Sequence, residues 1–270
     1  MERQDYEAQL ARPGAGGGQA ETFWDGKAAA FNAAQQAETS PFVGRVTEFL
    51  QGQGLLSGAS VLDVGGGSGR YALAFAKQAA AVTVTDISAQ MLAFAKANAE
   101  QAGLQNLTCR KLDWAQADLA AEGLVGQFDL TFAAMCPALY VPAGLRNLCA
   151  ASRGHSTVAQ FIADTDTASD ALQKQLGLPR GWDPHNDRAM VQTLFNLLWL
   201  DGKEPQLTYL HEQANEVLTL PQAVQRYGHW YGEAARQQGH SLQQLLQAIA
   251  TGDTVQADTH TTLALLWWRN

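Results

Sequence analysis

The 270-residue chain has few charged side chains and no run of basic residues. Charged residues make up only 16% of the sequence, and they leave a formal net charge of −8. An acidic chain without a Lys/Arg run is not built to hold a phosphate backbone by general electrostatics. We therefore expect no nucleic-acid partner, and the composition favours a small-molecule substrate.

Patterns of metal ligands and disulfides are also missing. The three cysteines, Cys109, Cys136 and Cys149, show no CxxC spacing, which argues against a disulfide framework and a zinc site. The six histidines show no ligand spacing, and the acidic segment DTDTASD (164–170) lacks the glycine and distal glutamate of a calcium loop. The sequence predicts no metal site.

The chain lacks long apolar segments as well. No stretch approaches the ~20 apolar residues that a membrane-spanning helix needs. The polar start MERQDYEAQLARPGAGGGQ has no apolar core of a signal peptide. We expect a cytoplasmic protein without a membrane partner, and the sequence leaves the oligomeric state open.

The middle of the chain alternates between strand and helix patterns, after a helical pattern that begins near Glu21. Five apolar segments read as strands: SVLDV, AVTVTDI, LTCRKLD, FDLTFAAM and STVAQFI. Between them, GRYALAFAKQA and SAQMLAFAKANAEQAG read as helices. This alternation predicts an α/β fold with a doubly wound, mostly parallel sheet and helices on both faces.

The pattern changes after Asp164. Two long alternating segments, QLTYLHEQANEVLTL and THTTLALLWWRN, predict an antiparallel strand pair at one edge of the sheet. The stretches 165–205 and 221–250 are predicted as helical cap insertions on the acceptor side. We expect a flexible arm over 1–20 and a single domain over 21–270.

Glycines concentrate in VLDVGGGSGR (61–70), between the first strand and its helix. Glycine lets the backbone approach a ligand closely, and helix N–H groups then point at a negative group. In an open parallel sheet, this crevice is the default ligand site. Residues 67–72 fit the short dinucleotide pattern G-x-G-x-x-G/A, so an NAD-dependent oxidoreductase remains an alternative at this point.

The longer pattern D-x-G-x-G-x-G over residues 63–69 resembles motif I of class I S-adenosylmethionine-dependent methyltransferases. FDLTFAAM, led by Asp129, resembles the motif IV strand of that family. Individual motifs of the family can be matched over about residues 40–164. The remainder of the chain resembles the family only in the order of its strands and helices. The resemblance implies a Rossmann-like sheet of seven strands with an antiparallel last strand. It also implies S-adenosylmethionine as cofactor and S-adenosylhomocysteine as product.

The resemblance further implies a set of cofactor-binding residues. Asp86 would accept the ribose hydroxyls, whereas Asp113 and Trp114 would face the adenine edge. Asp63 is expected to hold the glycine loop by accepting backbone N–H groups. The alternative role for Met91 is packing in the core. The alternative role for Trp114 is packing at the surface, and that for Trp24 is to anchor its own helix. The predicted set is Asp63, Gly65, Gly66, Gly67, Asp86, Ile87, Met91, Asp113, Trp114, Ala134 and Trp24.

The acceptor side carries fewer signals. The segment MCPALY (135–140) departs from the D/N-P-P-Y/F signature of base amino methylases, and it lacks the aspartate of metal-dependent catechol-type enzymes. Cys136 is predicted to be a core residue and not a nucleophile. No catalytic residue is identified. The acceptor-pocket candidates are Met135, Tyr140, Trp182, His185, His229, Trp230 and Tyr231, with ordinary helix packing as the alternative for the last three.

The leading hypothesis is a methyltransferase that uses S-adenosylmethionine to methylate a small molecule by in-line displacement. A tRNA or protein methyltransferase and a non-catalytic S-adenosylmethionine-binding protein remain alternatives. Asp63 and the final strand pair argue against the NAD-dependent oxidoreductase.

Overall fold

The computed structural model describes residues 2–10, 18–37, 41–179 and 181–270. The strands are β1 Ser60–Val64, β2 Ala81–Asp86, β3 Leu107–Lys111, β4 Phe128–Ala134, β5 Ser152–Asp166, β6 Gln206–Thr219 and β7 Thr254–Arg269. The helices are α1 Arg3–Leu10, α2 Gly18–Ala37, α3 Phe42–Gly52, α4 Ala72–Phe75, α5 Ala89–Gln101, α6 Pro142–Ala151, α7 Thr167–Gln175, α8 Arg188–Leu200, α9 Leu220–Gln237 and α10 Leu242–Gln247. Short 3-10 helices cover Pro137–Tyr140 and Pro184–Asn186.

The strands form one seven-stranded sheet in the order β3-β2-β1-β4-β5-β7-β6. β1 pairs in parallel with β2 and β4, and parallel pairing continues from β2 to β3 and from β4 to β5. The last strands run antiparallel, so the predicted Rossmann-like, mostly parallel sheet is confirmed. The strand order reverses between β1 and β4, and ligands bind at such a switch point in open α/β sheets.

The chain divides into two compact units. Unit 1 comprises residues 1–160, 189–208 and 264–270, and unit 2 comprises residues 161–188 and 209–263. The core of unit 1 is built on β1 and β4, whose Leu62 and Leu130 are fully buried. In unit 2, α7, α9 and α10 pack together around Leu172, Tyr227 and Leu246. Strands β1 to β4 and the glycine loop all lie in unit 1.

The predicted helical cap over 165–205 is divided between the two units. α7 lies in unit 2, whereas α8 contributes its apolar face to the core of unit 1 together with Leu10 and Trp268. The sequence pattern predicted that this helix buries one face, and that prediction is confirmed. The buried side chains of that face are Met190, Leu194, Leu197 and Leu198.

Two local expectations need correction. Residues 3–10 form a helix with Leu10 buried, although they belong to the segment expected to be a flexible arm. The rest of that segment up to residue 17, and Met1, lie outside the described residues. The helix after the glycine loop is also shorter than predicted, because α4 covers only Ala72–Phe75 and the chain then turns towards β2.

None of the described helices combines the length and the apolar composition that crossing a membrane requires.

Candidate cofactor site and acceptor-side residues

The glycine loop, residues 65–69, leaves the carboxyl end of β1 and leads into α4. Gly65, Gly67 and Gly69 have φ angles of +65°, +56° and +91°, a conformation that side chains other than glycine rarely adopt. The amides of Gly65 and Gly66 both donate to the carbonyl of Thr85, at 2.8 and 3.2 Å. These bonds hold the loop against the end of β2.

Two positions of the loop have no room for a side chain. A Cβ on Gly65 would lie 2.6 Å from Sγ of Cys136. A Cβ on Gly66 would lie 2.7 Å from Oδ2 of Asp63 and 2.8 Å from a methyl carbon of Val84. Glycine is therefore required here by close packing, and the loop backbone stays bare.

Asp86 ends β2, and both of its carboxylate oxygens accept backbone hydrogen bonds. Gly67 donates to Oδ2 at 3.0 Å, and Ser88 donates to Oδ1 at 2.8 Å. Burial raises the pKa of this carboxyl, the backbone bonds counteract the rise, and the nearby Asp25 charge adds to it. The residue predicted to bind ribose therefore lies beside the glycine loop.

Asp63 is buried on β1, and it accepts a hydrogen bond from the amide of Ala72 at the start of α4. It was expected to hold the glycine loop, but Asp86 holds Gly67 instead. Burial raises the pKa of Asp63 to about 8. Its Oδ2 has no hydrogen-bond partner in the described part of the chain, which is costly for a buried polar atom.

Met135 follows β4 with a φ of +48°. This left-handed conformation costs a non-glycine residue roughly 1–2 kcal/mol, and such strain clusters at functional sites. The Met135 amide donates to the carbonyl of Ala159 at 2.9 Å, beside the Ala134–Ala159 pair of β4 and β5. The predicted residues Ala134 and Met135 thus lie at the same sheet edge as the glycine loop.

The residues predicted to face adenine have different surroundings. Ile87 is partly exposed directly after β2, and Asp113 follows β3, where it accepts a bond from the Gln116 side chain at 2.7 Å. Trp114 is only 3% exposed, and its indole N–H donates to the carbonyl of Gly144 at 3.0 Å. Its ring packs into the core of unit 1 and not at the surface, and its expected place at the adenine edge stays a prediction.

Helix α2 reaches the glycine loop. Cε1 of Phe31 lies 3.4 Å from the position a Cβ on Gly67 would take. Ser68 donates through its hydroxyl to the side chain of Gln35 at 2.5 Å. Trp24, predicted as a cofactor contact, lies on the same helix and meets Phe23 edge to face with ring centroids 5.2 Å apart.

Met91, another predicted cofactor contact, is buried at the start of α5. It is only 2% exposed, and its amide donates to the hydroxyl of Ser88 at 3.0 Å. Its sulfur lies 3.8 Å from the Cβ position of Gly67. Met91 is therefore a core residue whose side chain supports the glycine loop.

The sulfur of Cys136 lies against Gly65, and the residue is buried. Burial raises the pKa of the thiol to about 12. The prediction that Cys136 is a core residue is confirmed. Tyr140, an acceptor candidate of unit 1, is also buried, with 6% of its surface exposed.

In unit 2, His185 is held beside Asp164 near the carboxyl end of β5. Nδ1 of His185 lies 3.5 Å from Oδ2 of Asp164, and its ring meets Phe161 edge to face at 5.4 Å. The side-chain amide of Asn186 bonds to both backbone groups of Asp164, at 2.8 and 3.1 Å, and this fixes the loop. The hydrogen bond from His185 lowers the pKa of Asp164. Half of the His185 side chain is exposed, so a ligand can reach it.

The other acceptor candidates of unit 2 make separate contacts. Trp182 donates through its indole to the buried Asp187 at 2.9 Å. His229 and Trp230 meet edge to face at 6.3 Å, and Trp230 is 66% exposed. Tyr231 is instead partly buried, with its hydroxyl 2.6 Å from that of Ser169. Helical spacing predicted that His229, Trp230 and Tyr231 cannot all face the same way. Their different contacts agree with that prediction.

Within the described ranges, no three His, Cys, Asp or Glu side chains are grouped as a metal ion would require.

Residues 61–153 match a family model described as a methyltransferase domain. None of the curated protein sequences matches this chain significantly. Among solved structures, a putative methyltransferase from Bacillus halodurans gives a TM-score of 0.51 at 18% identity, covering 83% of this chain and 97% of its own. The YcgJ protein from Bacillus subtilis gives a TM-score of 0.49 at 16% identity, and the match covers 84% of this chain and 98% of that protein. A magnesium protoporphyrin IX methyltransferase from Synechocystis, solved with bound S-adenosylhomocysteine, gives 0.46 at 17% identity, covering 86% and 82%.

The Bacillus halodurans structure shares the fold of this chain. The family match covers β1, the glycine loop, Asp86 and β4, which are the elements that carried the motif resemblance. The expected fold is thereby confirmed. Residues 61–153 are therefore similar to a methyltransferase domain, on a fold that the Bacillus halodurans structure shares.

Proposed function

We propose that this chain transfers the methyl group of S-adenosylmethionine to a small-molecule acceptor. The observation that carries the proposal is the bare glycine loop tied to Asp86 at the carboxyl edge of β1 and β2. That edge is the ligand-binding edge of open parallel sheets, and it lies within the segment that matches a methyltransferase domain.

The residues at this edge fit the cofactor. Both oxygens of Asp86 accept backbone hydrogen bonds, and the lone pairs of a carboxylate can accept about four bonds in all, with ribose hydroxyls often sharing one oxygen. It can therefore accept two ribose hydroxyls as well. The bare backbone at Gly65–Gly67 lets the cofactor approach without meeting a Cβ.

The bound cofactor supplies a methyl group activated on a sulfonium, so the protein has mainly to orient an acceptor and exclude water. A hydroxyl or amine acceptor must also lose a proton. Among the acceptor candidates, His185 has a side chain that suits such a proton transfer, because Asp164 contacts Nδ1 and thereby orients the ring. Trp182, His229, Trp230 and Tyr231 remain further acceptor candidates in this proposal.

The net charge supports a small acceptor over RNA. With 26 acidic and 18 basic side chains, the protein repels a polyanion in general. The test is transfer of labelled methyl from S-adenosylmethionine to a cell extract separated into small-molecule, RNA and protein fractions. We expect label in the small-molecule fraction alone. Label in RNA or in protein would replace the proposed acceptor class, and no label with intact S-adenosylhomocysteine binding would favour a non-catalytic binding protein.

A further inference from the structure

Helix α2 packs against α5 and the glycine loop through a face of polar side chains. Asn32 accepts a hydrogen bond from Asn98 of α5 at 2.8 Å, and Gln35 accepts one from Ser68 of the glycine loop at 2.5 Å. At the other end, Glu21 pairs with Lys111 at 2.5 Å. These positions recur at helical spacing, so they form one continuous face. This face covers the loop that the cofactor is proposed to use.

Asp25 lies in the middle of this face and reaches the first turn of α5. Its Oδ1 accepts a hydrogen bond from the hydroxyl of Ser88 at 2.6 Å and one from the amide of Gln90 at 3.2 Å. These bonds lower the pKa of Asp25, so it is ionised near neutral pH. A carboxylate at this place also stabilises the N-terminus of α5.

Ser88 joins Asp25 to Asp86. Its hydroxyl donates to Asp25 and accepts from the amide of Met91, so the side chain is fixed on both sides. Its own amide donates to Oδ1 of Asp86 at 2.8 Å. The position of Ser88 therefore sets one of the two backbone bonds that hold the Asp86 carboxylate.

Asp86 depends on these donors because its surroundings are otherwise unfavourable to a negative charge. It is largely buried, and it faces Asp25 of α2, Asp63 of β1 and the thiol of Cys136. Lys111, at the end of β3, is the cation that faces Asp25. A shift of Ser88 would weaken both the ionised form and the orientation of Asp86.

We propose that Asp25 is a positioning residue for the cofactor: through Ser88 it fixes the Asp86 carboxylate for the ribose, and it docks α2 over the glycine loop. This inference rests on the proposed binding of S-adenosylmethionine at Asp86. It extends the cofactor site onto the N-terminal helix, with Phe31 placed above Gly67.

The experiment measures S-adenosylhomocysteine affinity by calorimetry on the full chain, together with thermal unfolding of the ligand-free protein. Asp25→Ala and Ser88→Ala should each weaken binding on the order of tenfold, the scale of one charged hydrogen bond. The double variant should be little worse than either single variant, because the two residues act as one unit. Lys27→Ala, on the same helix, is the matched control and should leave affinity unchanged.

Asp25→Asn separates positioning from mere support of the fold. Asparagine can accept the same two hydrogen bonds, so affinity at pH 8 should stay within about threefold of wild type. Removing the Asp25 charge lowers the pKa of Asp86, so the loss of affinity on acidification should begin at a lower pH than in wild type. Asp25→Asn also serves if Asp25→Ala does not fold.

Wild-type affinity in folded Asp25→Ala, or strictly additive effects of the two substitutions, would overturn the inference while leaving the proposed function intact. An unchanged pH dependence in Asp25→Asn would likewise overturn it. Failure of the wild-type protein itself to bind S-adenosylhomocysteine would overturn the proposed function, and this inference with it.

Discussion

The amide of Gly67 donates to the carboxylate of Asp86 at 3.0 Å. This bond joins the loop after β1 to the end of β2. The two bonded residues are 19 positions apart in sequence. Backbone that would approach a ligand and a carboxylate that would bind its hydroxyls are therefore parts of one arrangement. The glycine loop follows β1, one of the two strands between which the strand order of the sheet reverses.

Replacing Asp86 by alanine should weaken S-adenosylhomocysteine binding by roughly 1.5–3 kcal/mol, because charge-assisted hydrogen bonds to the ribose are lost. Calorimetry measures the change, and circular dichroism checks the fold. Glu100→Ala, at an exposed acid on α5, is the matched control and should bind as wild type. Unchanged affinity in a folded Asp86→Ala variant would remove the ribose assignment.

Side chains added to the glycine loop should have two distinct effects. Gly66→Ala places a Cβ 2.7 Å from Asp63, so it should lower the free energy of unfolding by about 1–3 kcal/mol. Gly67→Val should lower S-adenosylhomocysteine affinity in addition to stability, because its φ of +56° strains a branched residue and its side chain meets Phe31 beside the proposed ligand site.

Urea unfolding and calorimetry distinguish these two outcomes. Gly26→Ala is the control, since a Cβ there meets nothing within 4 Å. Equal affinity of Gly67→Val and wild type would show that the ligand does not approach this part of the loop.

The raised pKa of Asp63 predicts how stability changes with pH. The ordinary value is 3.8 and burial raises the pKa to about 8, so between these values the native state keeps a proton that the unfolded chain releases. Stability of the ligand-free protein should therefore contain a contribution that falls as pH rises through this window. Urea unfolding at several pH values, in wild type and Asp63→Asn, isolates that contribution. Parallel curves for the two proteins would contradict the assignment.

Much of the fold follows from the sequence, since strands and helices alternate and their apolar positions are buried. The boundary between cap and core could not be predicted, because α8 is as apolar as a cap helix would be. The assignment of α8 to unit 1 becomes visible in the structure, where its apolar face packs in one cluster with Leu10 and Trp268. The short α4 was missed because its helical pattern continues beyond Phe75, where the chain turns in the structure.

The cofactor site was predictable where spacing carries information. The glycine pattern and the acid at the end of β2 identified Gly65–Gly67 and Asp86, and the structure brings them together. The role of Asp25 was missed, although polar residues at helical spacing along α2 were a usable signal. The left-handed backbone of Met135 could not be predicted, because methionine rarely adopts this conformation. The pairing of His185 with Asp164 could not be predicted either, because it depends on how the intervening residues fold.

Replacing residues 178–186 by a Gly/Ser linker should separate the two binding functions. The glycine loop, Asp86 and Asp113 lie in unit 1, whereas this segment carries His185 and belongs to unit 2. S-adenosylhomocysteine affinity should stay within about threefold, and turnover of any acceptor that the wild type methylates should be lost. Loss of cofactor binding in a protein that still folds would assign the segment to the cofactor site instead.

The most direct test of the account is calorimetric titration of the full chain with S-adenosylmethionine, S-adenosylhomocysteine and NAD. The account predicts one-to-one binding of the first two ligands, strong weakening of both in Asp86→Ala, and no binding of NAD. A folded wild-type protein that binds NAD, or that binds neither of the sulfur-containing ligands, would contradict it.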